Sequence, residues 1–125
     1  MLQSHEMEGI LPKQLNGYYE YKTLFGDVVK EYWVNGKLHR EDGPARSYSS
    51  GTYYWFLNGK LHRLDGPAIN LLDGCKKYYQ YGNLHRLDGP AVETNYYIEY
   101  WINGKEYSEE GYYNIINTYF RQPGT

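Results

Sequence analysis

Cysteine is almost missing from the chain. Cys75 is the only one, so no disulfide can form within it, and a reducing, cytoplasmic location is the expectation. Cys75 itself reads as a small residue just after a turn, because no fixed basic neighbour marks it as a reactive thiolate. Long apolar runs are missing too: the longest, Tyr53-Tyr54-Trp55-Phe56-Leu57, is far too short to span a membrane. Residues 1–8 are acidic and carry no apolar stretch, which reads as no signal peptide. Neither sign of charge dominates, since 13 Lys and Arg stand against 15 Asp and Glu for a formal net charge of -2. That disfavours a nucleic-acid binder working through a general basic field, and equally a strongly acidic DNA mimic. No P-loop, dinucleotide fingerprint or nucleophile elbow occurs. No cofactor, metal or catalytic residue is therefore expected.

What the chain has instead is rings and turns. Its 125 residues are enough for one domain. Aromatics supply 18% of them, tyrosine alone 17 residues, and there are 14 glycines. Tyrosine favours strands and carries a polar handle on a large apolar ring. A β-rich protein packed by rings, without a thick aliphatic core, follows.

A repeat organises these residues. Asp42-Gly43-Pro44-Ala45, Asp65-Gly66-Pro67-Ala68 and Asp88-Gly89-Pro90-Ala91 recur at intervals of 23, as do His39-Arg40, His62-Arg63 and His85-Arg86, and Leu38, Leu61 and Leu84. The turn pairs are Asn35-Gly36, Asn58-Gly59, a weakened Tyr81-Gly82, and Asn103-Gly104; the last interval is 22, so one residue is lost near Thr94-Asn95. Asn-Gly between strand formers is the strongest short-range hairpin signal, a type I′ turn. Two consecutive aromatics always precede it: Tyr32-Trp33, Trp55-Phe56, Tyr78-Tyr79 and Tyr100-Trp101. Successive strand residues face opposite sides of a sheet, so both faces carry an aromatic stripe.

Three full reversals per unit would flip the chain at every repeat, so one of them is a bend. Asp-Gly-Pro is the choice, because proline removes a ladder donor and glycine in a strand marks a bulge. A unit is then a strand over 52–57, the Asn58-Gly59 turn, and a strand over 60–72 kinked at 65–67. The predicted fold is all-β: an elongated single-layer antiparallel meander of hairpins with a short C-terminal capping helix. Residues 1–16 form an irregular segment without the repeat. Residues 17–107 form the hairpin domain, with repeat cores near 35–45, 58–68, 82–91 and 103–107. Its first hairpin, degenerate in sequence, spans 17–24 and 28–34 and turns at Phe25-Gly26-Asp27. Residues 108–121 form the helix: Ser108 caps it, Glu109 and Glu110 sit at the positive end of its dipole, and Gln122-Pro123-Gly124 stops it.

The unit aromatic-x-Asn-Gly-Lys-Leu-His-Arg-x-Asp-Gly-Pro-Ala, followed by Gly and a Tyr-rich strand, resembles the MORN repeat over residues 28–120. It is similar above all to the MORN-like variant found in proteins of large bacteriophages and giant viruses, whose ending matches Asn103-Gly104-Lys105 with Ser108-Glu109-Glu110. Arg40, Arg63 and Arg86 depart from the standard unit, which has Gly there, and Tyr81-Gly82 departs at the turn. The resemblance implies a single-layer antiparallel sheet that works by binding. It also implies the narrowest functional expectation, a viral or phage inhibitor that occludes a surface of a host defence protein such as a CRISPR factor.

His39, His62 and His85 stand two strands apart, roughly 9.5 Å at about 4.8 Å per strand, so they cannot share one tetrahedral metal. Asp42, Asp65 and Asp88 are expected to bond backbone N–H groups in the bend, and the histidines and arginines to pair with carbonyls or rings. Asn35, Gly36, Asn58, Gly59, Asn103 and Gly104 are turn residues. The candidate binding residues are Tyr32, Trp33, Tyr54, Trp55, Phe56, Tyr78, Tyr79 and Trp101, on whichever face stays uncovered, with Arg40, Arg63 and Arg86. A non-enzymatic protein-binding scaffold is the leading expectation. A nucleotide or nucleic-acid module using the Arg and Tyr ladder, or a self-assembling structural protein, are the alternatives.

Overall fold

The computed structural model describes residues 15–120. Strands β1 (Gly17–Lys22) and β2 (Val28–Val34) form the first hairpin, and β3 (Lys37–Leu38) and β4 (Arg46–Tyr48) return beside β2. The second unit holds β5 (Tyr53–Tyr54), β6 (Phe56–Leu57), β7 (Lys60–Leu61) and β8 (Ile69–Asn70); the third holds β9 (Lys76–Lys77), β10 (Tyr79–Gln80), β11 (Asn83–Leu84) and β12 (Val92–Glu93). Then come β13 (Ile98–Ile102), β14 (Lys105–Tyr107) and the helix α1 (Glu109–Ile115). The main sheet is open and runs β1-β2-β4-β5-β8-β9-β12-β13-β14, antiparallel throughout and in chain order, while β6-β7 and β10-β11 pair as two-stranded arms.

The Asn-Gly turns make this meander possible. Both central residues have positive φ in all four: 49° and 76° at Asn35-Gly36, 49° and 78° at Asn58-Gly59, 48° and 85° at Tyr81-Gly82, 48° and 80° at Asn103-Gly104. These are type I′ turns, whose twist suits an antiparallel hairpin. Tyr81 accepts a conformation that asparagine adopts more readily, and its ring lies 4.1 Å from that of His62. Each turn also binds the unit before it. The N–H groups of Gly59, Gly82 and Gly104 donate to the carbonyls of Leu38, Leu61 and Leu84 at 2.8–2.9 Å, so the arms stack into a second ladder beside the main one.

Asp-Gly-Pro is a bulge and the chain does not reverse there. Trp55 donates its N–H to Ala68 O (2.7 Å) and accepts from His62 N (3.1 Å), and Tyr32 and Tyr78 do the same with Ala45 and His39 and with Ala91 and His85. One residue on the ascending strand thus spans the whole segment 63–67, which loops out of the sheet. The opposite rim is made of connecting turns. Thr23 bonds Asp27, Tyr48 bonds Thr52 and Leu71 bonds Cys75, each from N–H to a carbonyl four residues on, whereas Thr94 bonds Tyr97, three residues on. The missing residue of the last interval is lost at this turn.

The ends differ as their sequences do. Leu15 and Asn16 receive bonds from Gly36 N and Asn35 N, the places Leu38 and His39 fill one unit later, so the repeat geometry reaches upstream of residue 17. No Asp-Gly-Pro follows them, and β1 runs alongside β2 as an unbroken six-residue ladder. The rest of the expected irregular segment, residues 1–14, lies outside the described residues. At the other end Ser108 Oγ accepts the Gly111 N–H at 3.1 Å, α1 follows, and residues Ile116–Phe120 continue it as a π-helical turn. The stop expected at Gln122-Pro123-Gly124 lies outside the described residues. Under the helix sits the only buried apolar cluster among the described residues: Tyr100, Ile102 and Tyr112, with Leu87, Tyr107, Ile115 and Ile116 against it.

Candidate functional site

One face of the sheet is ribbed. The guanidinium carbon of Arg40 lies 4.1 Å from the Tyr32 ring centroid, that of Arg63 4.1 Å from Trp55, and that of Arg86 4.0 Å from Tyr78. Each arginine then closes its own bulge. Arg63 Nε donates to Asp65 Oδ1 (3.0 Å), and Nη1 donates to Pro67 O (3.3 Å) and to the Tyr53 hydroxyl (3.3 Å). Arg86 likewise reaches Asp88 and Pro90 O, with Glu93 added at 2.6 Å, and Arg40 reaches Asp42 and Pro44 O. The expectation that the three aspartates bond backbone N–H groups is corrected here: they accept from the arginines. Each arginine, already held over its ring, offers a charged donor, and a charge-assisted bond is stronger than one from a neutral amide. The glycine of each bulge lets the clasp lie flat, since a Cβ on Gly66 would sit 2.7 Å from Arg63 Cζ.

Arg63→Lys keeps the charge but loses the stacked plane and the fork, and is expected to destabilise the fold by about 1–2 kcal/mol. Urea unfolding measures it, and an unchanged midpoint would refute the clasp.

Between the ribs run two grooves, of about 550 Å³ floored by Trp55, Leu57 and His62, and about 450 Å³ floored by Tyr78, Gln80 and His85. The third interval is filled. Tyr100 stands where Tyr78 stands one unit earlier, and Tyr112 covers it at 4.7 Å between ring centroids. The helix thus replaces the clasp.

The other face carries Trp33, Tyr54, Phe56, Tyr79 and Trp101, all half-buried. Tyr54 packs on Tyr48 and Phe56. The Trp33 and Trp101 indoles donate to Glu31 and Glu99, two residues back on the same face. Glu31 is buried and also accepts from Arg46 Nε (2.7 Å) and the Tyr21 hydroxyl (2.9 Å). None of the proposed ring residues on either face is among the well-exposed side chains. Their rings serve mostly to hold strands together.

The histidines latch units. Asn58 N–H donates to His39 Nδ1, Tyr81 N–H to His62 Nδ1 and Asn103 N–H to His85 Nδ1, each at 2.9 Å. Asn16 Oδ1 takes the Asn35 N–H at 2.7 Å in the same way. His62 and His85 are held below the usual imidazole pKa by burial. Each ring serves a different backbone amide, and among the described residues no three His, Cys, Asp or Glu side chains form a metal-holding group.

Well-exposed apolar side chains occur in several places, with Leu64 (71%) in the second bulge, Tyr81 (62%) at the third hairpin turn and Tyr119 (77%) in the π-helical turn, and a set of them lies on the rim of connecting turns. Leu24 and Phe25 are essentially fully exposed (102% and 98%), Leu72 69% and Tyr96 93%, with Tyr97 and Ile98 beside it. The second turn of the row carries Ser49, Ser50 and Gly51 instead. The strand periodicity that marks the rings does not reach Leu24, Phe25, Leu72 and Tyr96, because they lie in the turns between strands. The available signal was leucine and phenylalanine at turn positions that ask for polar residues.

This arrangement defines an open β-hairpin repeat protein in which each unit is clasped internally and latched to the next. Comparison with protein-family models, with curated proteins and with solved structures gave no match. No helix among the described residues is long and apolar enough to cross a membrane.

Proposed function

We propose that this is a non-enzymatic, MORN-like repeat scaffold that binds a protein partner through its row of connecting turns. The observation that carries the reading is the full exposure of Leu24 and Phe25, with Leu72, Tyr96 and Tyr97 along the same rim. Nothing in the fold requires apolar side chains there, and exposed apolar rows mark contact surfaces. Loops held by a rigid scaffold are also where binding residues concentrate. The arginine clasps weigh against the nucleic-acid alternative, because Nε and Nη1 of Arg40, Arg63 and Arg86 are already spent inside the chain. The narrower reading, a viral inhibitor of a host defence protein, rests on the repeat's resemblance alone.

The test is a quantitative pull-down against candidate partners. Changing Leu24, Phe25 and Tyr96 to serine is expected to abolish capture while leaving thermal stability intact, since these side chains bury nothing. A partner retained equally by that variant, or turnover lost on changing His39, His62 or His85, overturns the reading.

A further inference from the structure

The sheet has two edges, and they are treated differently. β14 packs against α1. β1 is a six-residue strand exposed at every position, and no described residue pairs with its outer side. Thr23 N–H bonds Asp27 O, so alternation turns the backbone groups of Tyr21, Tyr19 and Gly17 toward β2 and those of Tyr18, Glu20 and Lys22 outward. An unbroken edge of this length is a template for another strand.

We infer that β1 is the seat of a second copy of this chain, joined antiparallel, edge to edge, about a two-fold axis through Tyr21. The register follows from the charges. Only registers that set outward residues against outward residues form backbone bonds. An axis at Glu20 sets two carboxylates opposite each other, which destabilises. An axis at Tyr19 leaves Lys22 facing the end of the strand. With the axis at Tyr21, Glu20 of each copy faces the other copy's Lys22, both pairs lie on one face, and each pair exchanges its backbone bonds. Lys22 has no ion-pair partner among the described residues. Glu20 is already oriented, its carboxylate accepting the Tyr18 hydroxyl at 2.6 Å. The contact is self-complementary, as a closed two-fold interface must be. The same register sets Tyr18 of each copy opposite Leu24 of the other, so the first turn of the rim borders the contact.

Sedimentation of the full chain across a dilution series tests this, and a concentration-dependent species of twice the chain mass is expected. Glu20→Lys or Lys22→Glu alone should weaken association by about tenfold or more, through two lost pairs per dimer. The double exchange, Glu20→Lys with Lys22→Glu, should restore it. Glu20→Pro removes an outward N–H that the β1–β2 ladder does not use, and should give a folded monomer. A wild-type chain that stays monomeric overturns the proposal. So does a dimer that survives Glu20→Pro, or a double exchange that fails to restore association.

Discussion

Replacing Tyr112 by alanine is expected to undock the C-terminal helix and cost most of the protein's stability. The ring is fully buried, and removing a buried aromatic typically costs about 3–5 kcal/mol. The hydroxyl adds to this. It donates to Arg86 O at 2.7 Å and accepts the Gly89 N–H at 3.2 Å, which seals the third bulge from outside. Leaving both backbone groups unpaired costs about 1–3 kcal/mol each where water cannot reach them. Against a total of about 5–15 kcal/mol for an ordinary domain, the sum is close to global unfolding. Tyr112→Phe separates the two contributions: it keeps the ring and should lose only the hydroxyl's share, about 2–6 kcal/mol for the two backbone groups it leaves unpaired. Urea denaturation of both variants decides it. If Tyr112→Ala unfolds within about 1 kcal/mol of the wild type, the helix is an ornament and not the cap.

Acidification is expected to loosen the array, and the sign follows from the latches. Each histidine accepts a backbone N–H at Nδ1, and a protonated imidazole cannot accept. Burial holds His62 and His85 below the usual value, and the N–H aimed at Nδ1 acts in the same direction. The unfolded chain therefore takes up protons first as pH falls from about 6.5. Stability is whole above that value and is lost as pH drops through the lower folded values. With a net worth of about 1 kcal/mol per hydrogen bond, the His62 and His85 latches together amount to about 2 kcal/mol. Melting followed between neutral pH and pH 5 should show the fall. Asn16, which makes the same bond without titrating, suggests the control. A chain with His39, His62 and His85 all changed to asparagine should keep its stability at neutral pH and lose this part of the pH dependence. A pH profile that this triple change leaves unaltered would mean that carboxylates, not latches, govern acid sensitivity.

The architecture was legible because its signals are local. Asn-Gly between strand formers dictates a type I′ turn whatever lies around it, and a 23-residue period leaves little choice but a meander. The bulge at Asp-Gly-Pro followed from counting reversals. The site was far less legible. Alternation shows that Tyr32 and Trp33 face opposite sides, but not that Arg40 folds over Tyr32, because that contact depends on how a five-residue loop closes. The histidines were recognisable as structural, yet their acceptor bonds reach the next unit's turn, and period alone does not reveal which atom they meet. Asn16 is invisible to the repeat pattern because its residue type differs from that of His39. It shares a function, a side-chain acceptor at the same height on the ladder.

Because the units are built from the same parts, a nascent strand has more than one plausible neighbour. A slip of one whole unit would present each turn, imidazole and guanidinium with an equivalent partner, so those groups cannot tell right from wrong pairing. The irregularities do that. The hairpin without a bulge at one end, the shortened turn at Thr94, the Trp55 floor between two tyrosines, and Tyr112 fitting only the Tyr100 position each make one alignment better than its neighbours. The departures from perfect repetition are what give the sheet a unique order of assembly.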